Sequence, residues 1–118
     1  MLRTLLMASL LSAVSAGAAS AQDFSQVEIE TIDLGDGLAM LVGQGGNIGV
    51  SVGEEGSFLI DDQFAPLSDK ILAAVEAFGG DRDVRMLLNT HFHGDHTGGN
   101  EPLGEAGTVI VAHHNVRA

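Results

Sequence analysis

The chain has 118 residues, a formal net charge of −11, sixteen glycines and no cysteine. This length allows one domain at most, since domains run to roughly 100 to 200 residues. The acidic balance disfavours nucleic acid and anionic lipid as partners because like charges repel, and the lack of cysteine excludes a disulfide framework.

The N-terminus has the pattern of a secretory signal peptide. Arg3 provides a basic start, residues 5–14 are an apolar run, and Ala19-Ser20-Ala21 has the small-x-small form of a cleavage site. The apolar run is shorter than the roughly 20 residues of a membrane-spanning helix. We therefore predict that residues 1–21 are removed, that the protein is exported to the periplasm or secreted, and that no membrane contact remains after cleavage.

Four short β-like runs follow the predicted signal peptide. They span residues 27–32, 38–42, 48–52 and 57–60. The intervening segments are rich in glycine, which is typical of tight turns between antiparallel strands. The pattern predicts an antiparallel β-meander.

The pattern changes to a helical period after the fourth run. Pro66 and Ser68 open it, Gly79-Gly80 closes it, and apolar residues recur between them at spacings of three and four. These apolar residues are Leu67, Ile71, Ala74, Val75 and Phe78.

Two more apolar runs, residues 84–88 and 108–112, predict buried strands with a glycine-rich loop and a short helical piece between them. Residues 113–118 have the pattern of another helix beginning. The order predicts an α/β fold, a β-meander followed by helix–strand alternation, with helices on one side of the sheet. The opposite apolar face is predicted to be uncovered.

The segment NTHFHGDHTGGN, residues 89–100, concentrates side chains of the metal-ligand type. His91 and His93 follow a predicted strand at a spacing of two, so alternation directs both imidazoles to one side, where they can hold one ion. Asp95 and His96 come after a turn and face a neighbouring position. One loop can therefore supply two adjacent ions, a geometry suited to hydrolysis.

The simpler interpretation of this cluster is a solvated polar loop. Four ligand-type residues in one glycine-flanked loop after an apolar strand disfavour that interpretation. His113 and His114 have no partner at ligand spacing, so we interpret them as ordinary surface or core residues.

The run His91-Phe92-His93-Gly94-Asp95-His96, followed by TGGN, resembles the His-x-His-x-Asp-His hallmark of the metallo-β-lactamase superfamily of metallohydrolases. Residues 47–52 and 57–61 resemble the early strands of that family, the second ending in Asp61 near the metal loop. The resemblance implies an αββα sandwich of two similar halves. Residues 22–118 are expected to be its N-terminal half only, a truncated domain.

The resemblance also implies roles for individual residues. His91 and His93 would bind one metal ion and Asp95 and His96 the other, and a metal-bound hydroxide would attack the substrate carbonyl. Asp95 would also be catalytic, orienting the water or moving its proton. Asp61 is a candidate for a carboxylate that orients a ligand histidine; the alternative is a turn aspartate.

The expected cofactor is zinc, with two ions in the complete domain. Nitrogen and oxygen ligands also suit iron and manganese, so these metals stay open. The expected activity is hydrolysis of an ester, thioester, lactone or amide in a small-molecule substrate. Family members take their remaining ligands from later strands, so a C-terminal half is the expected partner and this chain alone is expected to have little activity.

Two alternatives stay open at this point. One is a non-enzymatic exported metal-binding fragment that holds one ion through His91, His93 and His96, which a calorimetric zinc titration would distinguish. The other is an iron-dependent oxygenase of the same fold, which metal analysis of purified protein would distinguish.

Overall fold

The computed structural model describes residues 21–117. Residues 1–20 lie outside this range, and with them all of the predicted signal peptide except Ala21, so export stays a prediction. Within the described part of the chain, no helix combines the length and apolar character needed to cross a membrane.

One six-stranded mixed sheet organises the described residues. Its strands lie side by side in chain order: β1 (Glu30–Gly35), β2 (Leu38–Val42), β3 (Ile48–Gly53), β4 (Gly56–Ile60), β5 (Val84–Asn89) and β6 (Val109–Ala112). Strands β1 to β4 pair antiparallel with their neighbours, whereas β4, β5 and β6 pair parallel. The predicted meander followed by helix–strand alternation is confirmed.

The helices occupy the two parallel crossovers. A short 3-10 helix (Ala65–Leu67) leads into α1 (Ser68–Ala77) between β4 and β5, while α2 (Gly94–Thr97) and α3 (Asn100–Glu105) lie between β5 and β6. A second 3-10 helix (His114–Arg117) follows β6, where the sequence predicted a helix beginning. The crossover through α1 brings the carboxyl ends of β4 and β5 to the same edge of the sheet.

Strand β1 begins at Glu30, three residues later than the predicted run 27–32. The reason is that the backbone before β1 is bound by the side chain of Lys70. The Lys70 ammonium group donates hydrogen bonds to the carbonyls of Ser25 and Val27, at 2.9 and 2.6 Å. This segment is therefore tied to α1 instead of extending the sheet.

The hydrophobic core lies on one side of the sheet, under α1. Ile71 and Val75 of α1 are buried, as is Leu67 just before it, and Ala74 and Phe78 pack partly buried against the same core. The five predicted apolar helix positions thus all contribute. Burying a side chain of this size stabilises the fold by about 1.5–3 kcal/mol. The sheet supplies the opposing layer through Ala39, Leu41, Ile48, Val50, Leu59, Val84 and Leu87.

The other face of the sheet is apolar, and none of residues 21–117 covers it. Six large apolar side chains on this face are between 38% and 58% exposed: Leu38, Ile60, Met86, Leu88, Val109 and Val111. In the strand register Ile60 lies beside Leu88 and Leu88 beside Val111, so they form a continuous row. The uncovered face predicted from the sequence is present.

The prediction that β5 and β6 are both buried strands is wrong. Along β5 only Val84, Leu87 and Asn89 are buried, and β6 is exposed over its whole length. The physical reason is that β6 is the edge strand of the described sheet, and no described layer covers the face opposite α1. Apolar composition alone does not tell a covered strand from an uncovered one.

Leu87 and Leu88 provide a matched pair for this one-sided core. We expect Leu87→Ala to lower the free energy of unfolding by about 2–5 kcal/mol, because it leaves a cavity. Leu88→Ala should cost less than about 1 kcal/mol, because that side chain is already in contact with water. Urea denaturation of both variants measures the difference, and equal losses would contradict an uncovered second face.

Candidate metal centre

Residues 90–97, called here the histidine loop, follow directly after strand β5, which ends at Asn89. Beyond Ile60 the backbone N–H of Asp61 donates to the carbonyl of Leu88 at 2.9 Å, so the parallel pairing continues to the edge of the sheet. Asp61 therefore lies beside Thr90, the residue before the first histidine of the loop. The residues of the predicted site therefore lie where two parallel strands end together.

The three predicted histidine ligands lie close together. The ring centroid of His91 is 4.0 Å from that of His96 and 4.8 Å from that of His93. His91 and His96 are half-buried, and His93 is exposed. The cluster therefore opens to solvent on the His93 side.

Asp95 contacts both His96 and the loop that joins β2 to β3. One carboxylate oxygen, Oδ2, is 3.5 Å from Nε2 of His96 and accepts a hydrogen bond from the backbone N–H of Gly46 at 3.0 Å. Sequence reasoning placed Asp95 and His96 together, but it gave no role to the β2–β3 loop. That contact joins residues 49 positions apart, so no local pattern could have indicated it.

Asp61 is buried, with 4% of its surface exposed, and both of its carboxylate oxygens have protein donors. Oδ1 accepts the backbone N–H of Thr90 at 2.8 Å. Oδ2 accepts the Thr90 hydroxyl and Nδ1 of His96, each at 2.7 Å. When Nδ1 carries the proton, Nε2 of His96 keeps its lone pair available for a metal ion.

Thr90 extends this arrangement to a second histidine. Its hydroxyl oxygen is 2.9 Å from Nδ1 of His91. Because the hydroxyl hydrogen is donated to Asp61, the oxygen accepts from the Nδ1–H of His91, and Nε2 of His91 also keeps its lone pair. Sequence reasoning missed Thr90, although a hydroxyl beside a predicted ligand histidine was a usable signal.

Donor atoms of Asp61, His91 and His96 all lie within 4.8 Å of one another, so this set could also surround one ion. Within the described residues, His93 and Asp95 are not part of that compact group. His113 and His114 are exposed and stack on each other, with centroids 4.1 Å apart.

Asp62, the residue after Asp61, is also buried, but its carboxylate has a different partner. Its Oδ1 accepts the backbone N–H of Gly99 at 3.1 Å, while Oδ2 has no hydrogen-bond partner among the described residues. Burial raises the pKa of Asp62 to about 7. The negative charge of Asp61 raises this pKa further, whereas the hydrogen bond from Gly99 lowers it. Sequence reasoning gave Asp62 no role of its own.

The backbone at the end of β4 explains how neighbouring side chains reach separate partners. Asp61 and Gln63 have positive φ angles of +64° and +55°, a region that residues other than glycine seldom adopt. The chain therefore turns sharply twice within three residues. Asp61 reaches the histidines, Asp62 reaches Gly99, and Gln63 reaches the β2–β3 loop.

Residues 41–118 match the metallo-beta-lactamase superfamily. The chain belongs to this superfamily. The predicted metallo-β-lactamase-like α/β fold is confirmed by its similarity to solved structures.

Three solved metallo-beta-lactamases illustrate that similarity. The subclass B3 enzyme BJP-1 of Bradyrhizobium japonicum is 26% identical with a TM-score of 0.62, over 70% of this chain and 32% of that one. MIM-1 of Novosphingobium pentaromativorans is 29% identical with a TM-score of 0.56, over 63% and 28%. FIM-1 of Pseudomonas aeruginosa, in its mono-zinc form, is 20% identical with a TM-score of 0.67, over 76% and 44%, and shows the fold alone.

The part of this chain that aligns with BJP-1 covers only 32% of the length of that enzyme. No curated protein sequence matches the chain.

The raised pKa of Asp62 makes stability depend on pH. Its folded-state pKa of about 7 exceeds the ordinary value of 3.8, so the folded protein holds this proton more tightly. This contribution is fully present below pH 3.8 and is lost as the pH rises through 7. We expect Asp62→Asn, which cannot ionise, to lose less stability than the parent between pH 5 and 8.

Urea denaturation of metal-free protein at the two pH values measures this effect. Asp83→Asn is the matched control, since Asp83 is an exposed aspartate. An Asp62→Asn variant with the same pH dependence as the parent would show that the buried carboxyl is ionised throughout this range.

Proposed function

We propose that this protein is the metal-binding half of an exported, zinc-dependent hydrolase that cleaves an ester, thioester, lactone or amide bond. The observation that carries the proposal is the cluster of His91, His93 and His96 on one loop, with Asp61 accepting a hydrogen bond from Nδ1 of His96 at 2.7 Å. Superfamily membership supports the reaction class.

The donor set fits zinc. It consists of imidazole nitrogens and carboxylate oxygens, in a chain that contains no cysteine. His91 and His93 bind one ion in this proposal, and Asp95 and His96 bind a second. Asp61 is an orienting group and not a ligand, because its two oxygens already accept three hydrogen bonds.

A bound zinc ion would polarise the scissile carbonyl and lower the pKa of a water molecule toward neutrality. The protein side chains then have distinct tasks. Asp61 fixes the ring of His96 directly and that of His91 through the Thr90 hydroxyl. Asp95 is the proposed catalytic group: the Gly46 amide holds its Oδ2, and the other oxygen is left to receive or release a proton.

The partner in this proposal is a second half of the domain that covers the apolar sheet face and supplies the remaining metal ligands. The exposed row of Ile60, Leu88 and Val111 supports it, because contiguous apolar surface of this kind is expensive to leave in water. When the second half is present, the cost of Leu88→Ala should rise to about 2–5 kcal/mol. A cost that stays below about 1 kcal/mol would contradict this partner.

Export rests on the composition of residues 1–21. The expected product is a mature chain that begins at Gln22, and N-terminal sequencing of protein from the periplasm or medium tests it. Recovery of an intact N-terminus from the cytoplasm would contradict export.

A non-enzymatic site for a single ion is the second candidate. What favours it is that His91, His93 and His96 lie together on one loop, with the ring centroids of His96 and His93 at 4.0 and 4.8 Å from that of His91, so that the three rings could hold one ion. Calorimetric zinc titration separates the two: two tightly bound ions support the hydrolase, and one loosely bound ion supports the metal-binding fragment. Metal analysis of purified protein should find zinc and not iron.

The hydrolase proposal is tested by replacing single histidines in the protein that carries both halves. We expect His93→Ala and His96→Ala each to reduce zinc content and to lower hydrolysis by more than about 100-fold, because losing a ligand costs more than losing a group that orients one. His114→Ala is the matched control, since His114 is exposed and outside the cluster. Unchanged zinc content and turnover in the two cluster variants would overturn the proposal.

A further inference from the structure

Gln63 occupies a position that is costly for its residue type. It is fully buried and has the left-handed backbone conformation, with φ at +55°. Left-handed backbone costs an ordinary residue about 1–2 kcal/mol, and a buried amide is tolerated only when it is hydrogen-bonded. Its contacts must therefore account for its presence.

Both ends of the Gln63 amide bind the loop of residues 43–47, which joins β2 to β3 and is called here the glycine loop. Its Nε2 donates to the carbonyl of Gly46, and its Oε1 accepts the backbone N–H of Gln44 at 3.3 Å. A Cβ atom at Gly43 would lie 2.6 Å from Oε1, so the loop passes directly over the amide. One side chain thus holds the loop at two points.

The opposite side of the glycine loop contacts the histidine loop. The N–H of Gly46 donates to Asp95, and a Cβ atom at Gly46 would clash with the imidazole ring of His96. A Cβ atom at Gly45 would lie 2.7 Å from that of Asp95. The loop backbone therefore lies directly against Asp95 and His96, with no room for side chains between them.

We propose that Gln63 is a positioning residue for Asp95, acting through Gly46. Gln63 holds the Gly46 carbonyl, and the Gly46 N–H holds the carboxylate. The inference rests on the proposed function, in which Asp95 and His96 bind the second ion. Without Gln63 the Gly46 carbonyl loses its donor and the loop its anchor, so the carboxylate is no longer held in one orientation.

The decisive variant is Gln63→Met, which keeps the length of the side chain and removes both hydrogen bonds. In zinc titrations of the protein with both halves, we expect the second ion to bind about 10- to 100-fold more weakly, as when other groups that orient ligands are lost. Affinity for the first ion should be unchanged. Gln26→Met is the control, since Gln26 is an exposed glutamine outside the glycine loop.

A second measurement does not depend on metal. In the metal-free protein the Gly46 amide should exchange its hydrogen faster in Gln63→Met than in the parent, because the loop that presents it to Asp95 is released. Gly46→Ala provides an independent route that leaves Gln63 intact. The added Cβ atom would push the loop away from His96. We therefore expect Gly46→Ala to weaken binding of the second ion as Gln63→Met does.

The outcomes separate this inference from the proposed function. Unchanged second-ion affinity and unchanged Gly46 exchange in Gln63→Met would overturn the positioning role. Equal weakening of both ions would also overturn it, because Gln63 would then support the whole site. If Asp95→Asn leaves both ions bound as in the parent, the ligand role of Asp95 fails instead, while faster Gly46 exchange in Gln63→Met would still establish that Gln63 anchors the loop.

Discussion

The parallel pairing of β4 with β5 brings the ends of both strands to one edge of the sheet, and the contacts of the histidine loop depend on it. Asp61 continues β4 by one hydrogen bond to Leu88, and this places its carboxylate beside Thr90 and His96. A shift of one residue in the pairing would turn Asp61 to the opposite face of the sheet. The register of β4 against β5 therefore determines whether Asp61 can reach Thr90 and His96.

The residues that follow β4 show how a short buried segment can organise a surface site. Asp61, Asp62 and Gln63 are each at most 4% exposed, so each needs a partner to offset the loss of water. Asp61 and Gln63 find theirs on the histidine loop and the glycine loop. One carboxylate oxygen of Asp62 has no hydrogen-bond partner within the described part of the chain, and burial raises the pKa of this residue to about 7. The polar contacts fix orientation, and the apolar core under α1 supplies most of the stability.

Among the described residues, only one face of the sheet is covered. Helix α1 packs Ile71 and Val75 against the inner face, while Leu88 and its neighbours on the outer face remain in contact with water. The aligned part of the chain spans 32% of the length of the related B3 enzyme BJP-1. A second half that covers the outer face would bury this row, and in the proposal it would bring further ligands to the edge where the histidines lie.

The sequence by itself determined the features that depend on local spacing. Alternation and glycine punctuation defined the meander. The four-residue spacing of Leu67, Ile71 and Val75 defined the buried face of the helical segment, and the run from His91 to His96 defined the candidate ligands. Only the tertiary structure decided which distant groups hold those ligands. The contact of Asp61 with His96 spans 35 residues and that of Gly46 with Asp95 spans 49. Such contacts depend on strand order, register and the left-handed turns at Asp61 and Gln63, none of which leaves a periodic signal. The burial of β5 and β6 was misjudged for a related reason, because composition indicates that a strand is apolar but only the packed structure shows what covers it.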